Sequence, residues 1–226
     1  MSGVWRIGKV FRFEAARETG GSLDGHSFTA EAVLSASRLD EVGFVVDFGR
    51  LASLKKYIDA VLDHQVLNGQ VPDVTDTGIA AHLTAWAREH LPPDVAPVLE
   101  GVRVRPGRAR PGPGAATVEF GAAHRLRGLP AGHPCGRFHG HSYLITVPRT
   151  PGDQESPAPI PQRLRRYVAG VLDGSVLNDV VAFNPTSELL AEHFAAQLGP
   201  APKVGPVAVR VSETETSWAE YTRSPR

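Results

Sequence analysis

The chain has 226 residues, 42% of them hydrophobic, with 24 basic and 24 acidic side chains. That length holds two compact domains, and the balanced charge excludes a whole-protein field steering it to nucleic acid or a membrane surface. One cysteine excludes an internal disulfide and fits a reducing compartment. No apolar run reaches membrane-spanning length, and residues 1–6 lack an apolar core with a cleavage site, so the expectation is a soluble, cytoplasmic protein.

In chain order, strands are predicted over 8–16 and 27–36, the second alternating Phe28, Ala30, Ala32 and Leu34 toward one face. Asp40 to Gly43 turns the chain into a further predicted strand, Phe44-Val45-Val46-Asp47-Phe48. Leu51, Leu54, Tyr57, Ile58, Val61 and Leu62 then recur at the helical period. A second helix is expected over about 77–90, with Ile79, Leu83 and Trp86 on one face, closed by Pro92-Pro93. Two short strands should follow, ending near Val104. Residues 106–114, rich in Pro and Gly, read as a solvated linker bearing Arg108 and Arg110, just after Arg103 and Arg105.

Beyond that linker the same order of motifs returns. Phe13-Glu14-Ala15-Ala16-Arg17 recurs as Phe120-Gly121-Ala122-Ala123-His124, and Gly25-His26-Ser27-Phe28 as Gly140-His141-Ser142-Tyr143. Val61-Leu62-Asp63-His64 to Asn68 recurs as Val171-Leu172-Asp173-Gly174 to Asn178, and Val102-Arg103-Val104 as Val209-Arg210-Val211. The chain is a tandem duplication, with copies over 1–106 and 115–226. In the second copy, residues 148–161 hold nothing resembling Gly43 to Phe48, so a loop is expected there. Leu164, Tyr167, Val168 and Val171 mark one further helix, and Pro185-Thr186-Ser187-Glu188 opens another in capping style.

The chemistry-bearing stretch is Cys135-Gly136-Arg137-Phe138-His139-Gly140-His141, with His124 upstream. On a strand, residues two apart share a face, so His139 and His141 can both address one ion. A His-x-His alone is more often a surface pair than a metal site. With His124 from a neighbouring strand it becomes a three-nitrogen set leaving one position open, the ligand count of a catalytic zinc site. His133 matches no motif and reads as a loop residue, while His82, His90 and His193 fall on predicted helices.

These motifs resemble the 6-pyruvoyl-tetrahydropterin synthase and 6-carboxytetrahydropterin synthase family. They are Ala122-Ala123-His124, Cys135-x3-His139-Gly140-His141, Asp40-x2-Gly43-Phe44-Val45-x-Asp47-Phe48, Leu62-Asp63-His64-x2-Leu67-Asn68, Pro185-Thr186-Ser187-Glu188 and Val211-Ser212-Glu213-Thr214. The three-residue gap between Cys135 and His139 is closer to the carboxy-forming branch. The resemblance implies an α+β fold of two tandem tunnelling-fold copies, each a four-stranded antiparallel sheet with two helices on one face, assembling into a barrel. It also implies Zn2+ on His124, His139 and His141, Cys135 as the base that removes a side-chain proton from dihydroneopterin triphosphate, and Glu213 as the pterin anchor. An Asp-His pair from an adjacent subunit assists the base.

Each copy is incomplete against that pattern. The second copy has the metal set, Cys135 and Glu213, but Gly174 replaces the histidine of the Asp-His pair. The first copy keeps Asp63-His64, yet its metal positions are Arg17, Asp24 and His26, and Pro106 stands in place of Glu213. Arg has no lone pair to give a metal, so Arg17 and Asp24 are expected to form an ion pair filling the vacant position. The expectation is a zinc-dependent lyase whose composite site takes metal, Cys135 and Glu213 from a second copy and Asp63-His64 from a first, with Thr75 and Asp76 accompanying the dyad. A homo-oligomeric ring of alternating copies would satisfy every site. The partner is a small-molecule pterin, with no nucleic acid and no membrane. A pterin-binding pseudoenzyme and a zinc hydrolase or hydratase remain as alternatives.

Overall fold

The computed structural model describes residues 3–107, 116–147, 161–198 and 207–223. The chain divides into two compact units. One comprises Gly8–Ser35 with Val46–Arg110; the other comprises Met1–Ile7, Ala36–Val45 and Pro111–Arg226. The division follows the duplication, except that two pieces of first-copy sequence belong to the second copy's unit.

β1 (Gly3–Thr19), which belongs to the first unit from Gly8 onward, turns through Gly20-Gly21 into β2 (Ser22–Ala36), which leaves that unit after Ser35. Both turn residues have positive φ, 59° and 79°, which glycine adopts without the Cβ clash other residues meet. A 3-10 turn (Phe48–Leu51) leads into α1 (Ala52–Tyr57), which continues as one π turn (Ile58–Leu62). Leu51, Leu54, Ile58 and Leu62 are its buried stripe. The two-residue strand β3 (Gln65–Val66) pairs in parallel with Ala15 and Ala16 of β1. Next comes α2 (Asp76–His90), capped by Thr75, whose Oγ1 accepts from Gly78 N at 3.0 Å. It lies on β4 (Leu99–Pro106), which pairs antiparallel with β2, giving the order β4-β2-β1. Arg103 and Arg105 on β4 face Glu31 at 3.8 and 3.3 Å.

The second unit carries β5 (Ala116–His124), β6 (His139–Val147), α3 (Gln162–Tyr167) with a π turn (Val168–Leu172), α4 (Leu177–Val180), α5 (Ser187–Gln197), β7 (Val207–Thr214) and β8 (Ser217–Arg223). The strands pair antiparallel in the order β5-β6-β7-β8, and α5 lies on β7 and β8. Phe120, Tyr143, Leu164, Leu172, Leu190, Phe194, Val209 and Val211 form the buried cluster between helices and strands. Burying one such large apolar side chain contributes roughly 1.5–3 kcal/mol. No helix among the described residues is long and apolar enough to cross a membrane.

The duplication is visible bond by bond. Asp63 Oδ1 accepts from Glu14 N at 2.7 Å, and Asp173 Oδ1 accepts from Gly121 N at 2.8 Å. Asn68 exchanges two hydrogen bonds with the Glu18 backbone, as Asn178 does with that of Arg125. The hydroxyls of Tyr57 and Tyr167 meet Nε2 of His82 and His193 at 2.7 and 2.9 Å, so these two histidines do structural work. The β1–β3 pairing recurs as a bridge between Ala123 and Val176.

Several local expectations change. Phe44 to Asp47 is not a strand: Asp40 Oδ1 accepts from the amides of Val42, Gly43 and Phe44, each at 2.9 Å, and this winds the segment into a tight loop. After α2 the described residues form one strand, β4, where two short ones are expected. Val171, placed on the apolar stripe by its spacing, is 40% exposed because the π turn rotates it off that face. The rest of the linker from 108, and most of the predicted loop over 148–161, lie outside the described residues.

His64 alone among the described non-glycine residues has positive φ, 57°, and Gly174 at the matching position has φ 73°. The strain that glycine removes is retained where the histidine is kept. His64→Gly should therefore raise stability by about 1 kcal/mol, read as a higher Tm in thermal unfolding. Gly174→Ala should lower it by a similar amount.

Candidate metal centre

His124 ends β5 and stands directly opposite His139, the first residue of β6, with His141 two residues on. Strand alternation thus gathers the three imidazoles on the face that also buries Phe120 and Tyr143. One ligand nitrogen from each lies within 4.8 Å of the others, and no other such group of three occurs among the described residues.

The hydrogen bonds fix which nitrogen each ring presents. A carbonyl only accepts, so His124 Nδ1 donates to Pro185 O at 2.9 Å and His139 Nδ1 donates to Arg137 O at 2.8 Å. With both rings in the neutral, ligating form, each has then spent its only proton, and the two Nε2 lone pairs face one another at 3.2 Å. Two facing lone pairs repel; a cation between them turns that repulsion into two bonds. Backbone carbonyls orienting Nδ1 are the usual outer support of a metal-ligating histidine. Burial pushes the His124 and His141 imidazoles below their ordinary value, which favours the neutral, ligating form. At His141 the Glu213 carboxylate opposes that shift. The residues present fit a zinc ion of the three-histidine kind.

Cys135 lies half-buried on a short turn (Pro134–Gly136), its carbonyl accepting from Leu126 N at 2.8 Å. His133 accepts from Cys135 N at 3.2 Å and caps that turn, which accounts for a histidine outside the ligand set. Glu213 occupies the irregularity between Ser212 and Thr214 where β7 slips against β8. Such a bulge re-aims the side chain it carries, and the Glu213 charge is felt at His141, Tyr143 and Glu188. Tyr143 has Phe28 as its first-copy counterpart. Its hydroxyl is buried without a partner among the described residues, and burial pushes it upward, so it stays a protonated donor.

Sequence reasoning overlooked Glu188. It is buried near the start of α5, and Oε1 accepts from Val45 N at 3.1 Å. Burial, with Glu213 and Asp40 nearby, pushes its carboxyl up to about 8. The signal available in the sequence was the acid within the capping motif itself.

In the first copy the metal positions are closed by hydrogen bonds. Arg17 Nη1 donates to Val74 O at 3.0 Å and to Asp76 Oδ1 at 2.7 Å, while Asp24 Oδ2 pairs with His26 Nε2 at 2.7 Å. The expected Arg17–Asp24 ion pair does not form. The Val74 carbonyl matches that of Pro185, so Arg17 takes the acceptor His124 uses and carries its guanidinium on to Asp76. Arg17, Thr19, Asp24, Thr75 and Asp76 line an open cleft of about 320 Å³. Asp63 and His64 lie on the same unit, joined by Nδ1 to Oδ2 at 2.8 Å. The Glu14 amide and His64 hold the Asp63 carboxyl below its ordinary value, and the imidazole is exposed.

The sequence model of the 6-pyruvoyl tetrahydropterin synthase family matches residues 7–107 and again 115–224. The chain belongs to this family. With two matches in tandem, its fold is α+β, a duplicated tunnelling fold. Proteins named 6-carboxy-5,6,7,8-tetrahydropterin synthase from Rickettsia typhi and Rickettsia conorii are 41% and 39% identical to it over 46 residues. Each match covers 20% of this chain and 33% of the relative. The solved 6-pyruvoyl tetrahydropterin synthase of Caenorhabditis elegans aligns at 22% identity and a TM-score of 0.34, over 46% of this chain and 91% of that one.

Zinc titration followed by metal analysis should give one tightly held ion per chain. His139→Ala should lose it, and His26→Ala should keep it. A raised carboxyl pKa makes the folded state hold a proton that the unfolded state releases, so stability falls as pH rises from about 4.5 through about 8. Glu188→Gln removes that loss and should stabilise the protein at pH 9 by at least about 1 kcal/mol in denaturant melts, with little gain at pH 4.

Proposed function

We propose that this protein is a zinc-dependent lyase of the 6-carboxytetrahydropterin synthase type, acting on dihydroneopterin triphosphate or a related pterin. Its second copy, 115–226, carries the metal, and the first, 1–106, is degenerate in metal binding. Asp63 and His64 of a first copy complete the site across an interface of a homo-oligomer. The observation that carries this reading is the pair of Nε2 lone pairs facing at 3.2 Å with both Nδ1 protons committed to carbonyls. The names of the Rickettsia relatives and the Cys135-x3-His139 spacing favour the carboxy branch.

Zinc on His124, His139 and His141 would supply the positive charge that acidifies a substrate hydroxyl and stabilises negative charge developing beside it. Cys135, as thiolate, removes a proton from the pterin side chain. Asp63 stays ionised and holds His64 by Nδ1, so that Nε2 is the atom that takes up or returns a proton. Glu213, re-aimed by its bulge, accepts two hydrogen bonds from the N–H edge of the pterin and fixes its orientation. Thr75 and Asp76 accompany the dyad, Thr75 as a helix cap and Asp76 held by Arg17. Since every site draws on both kinds of copy, alternating copies in a closed barrel satisfy all of them. A thiol base also suits the reducing cytoplasm.

Triphosphate release from dihydroneopterin triphosphate should cease with a chelator and return with zinc. Cys135→Ala should lower the rate by about 100-fold or more while zinc stays bound. Activity that survives Cys135→Ala would mark a zinc hydrolase instead, and pterin binding with no turnover would mark a pseudoenzyme.

A further inference from the structure

Residues 42–45 come from first-copy sequence yet belong to the second copy's compact unit. Three side chains of the turn that opens α5 spend their hydrogen bonds on this strap. Asn184 Nδ2 donates to Val42 O at 2.8 Å, Thr186 Oγ1 donates to Gly43 O at 3.0 Å, and Glu188 Oε1 accepts from Val45 N. Gly43 has φ 103°, and a Cβ there would meet Leu189 Cδ1 at 2.7 Å and Thr186 Oγ1 at 3.2 Å. The strap therefore lies flat on the turn. Between Asn184 and Thr186 sits Pro185, whose carbonyl orients His124. Asn184 also bonds both backbone groups of Arg127, just past His124.

The first copy has lost the matching receptor. Its counterparts of Asn184, Thr186 and Glu188 are Asp73, Thr75 and Thr77. There Asp73 accepts from Thr75 N at 2.9 Å and Thr75 from Gly78 N at 3.0 Å, so both caps close locally. Thr77 offers no carboxylate to a strap amide. Second-copy sequence, in turn, has no Gly43-to-Phe48 motif. Strap and receptor are retained in complementary copies.

We infer that the Val42–Val45 strap is a working part of the second copy's metal site, clamping the Asn184–Glu188 turn so that Pro185 holds His124 in its ligating tautomer, with Glu188 a positioning residue. This rests on reading His124, His139 and His141 as a metal set. It deepens that reading, because the site then needs first-copy sequence even to bind its ion.

The test uses the full chain and measures zinc affinity by competition with a chromogenic chelator, together with the visible absorption of the cobalt(II)-loaded protein. Gly43→Ala should weaken zinc binding by about 10- to 100-fold, the usual cost of losing outer support of a ligand, and dull the tetrahedral cobalt bands. Gly69→Ala, whose Cβ enters open space, should change neither. Glu188→Leu should behave as Gly43→Ala, and Glu188→Gln, which keeps the acceptor for Val45 N, should restore affinity to within about threefold. If Gly43→Ala does not fold, the Leu and Gln pair at Glu188 decides alone. Wild-type affinity in folded Gly43→Ala or in Glu188→Leu overturns this inference; a wild type that binds no zinc overturns the metal reading itself.

Discussion

Two imidazole protons given to backbone carbonyls set the chemistry of the second copy's histidine cluster. Once His124 donates to Pro185 and His139 to Arg137, their remaining nitrogens are bare lone pairs brought to 3.2 Å by directly opposed strand positions. Neither ring can relieve the other without taking a proton, and burial makes protonation of His124 unfavourable. A cation held between them would replace that repulsion with two bonds. Pro185 and its turn support the His124 ring, and the Glu213 charge reaches His141.

The two copies share a hydrogen-bonded frame and differ in what they hang on it. The Asp63 and Asp173 caps, the Asn68 and Asn178 clamps and both π turns coincide. On that frame one exchange, Arg17 for His124, converts a ligand position into a guanidinium directed at Asp76, while the carbonyl that receives it is unchanged in place. The opposite exchange, His64 against Gly174, leaves a strained backbone only where an imidazole is displayed. Losses in one copy thus fall where the other retains the group. This complementarity is the pattern expected of the proposed site shared between copies.

Much of this was legible in the sequence because the frame residues are motif residues. Asp63, Asn68, His124, His139 and Thr186 carry both the repeat and the hydrogen bonds, so pattern and geometry coincide. The strap was not legible. Its apolar run Phe44-Val45-Val46 satisfies the rule for a strand, but Asp40 gathers three amides of the segment and Glu188 takes another. Those are tertiary bonds to backbone, which leave no periodicity. The partner of Arg17 was missed for a related reason: its first acceptor is the carbonyl of Val74, and a carbonyl has no letter in the sequence. The register shift at Glu213 likewise arises from the pairing of β7 with β8, which no single strand records.

In the proposed assembly one copy holds the ion and thiol while the other lends the proton-handling dyad. This arrangement is tested most directly by an experimental structure of the zinc-loaded, assembled particle. The account predicts that the Nε2 atom of some His64 comes within about 10 Å of a Cys135 Sγ, close enough for both to address one substrate side chain. A particle in which every His64 lies tens of ångströms from every Cys135 would contradict it.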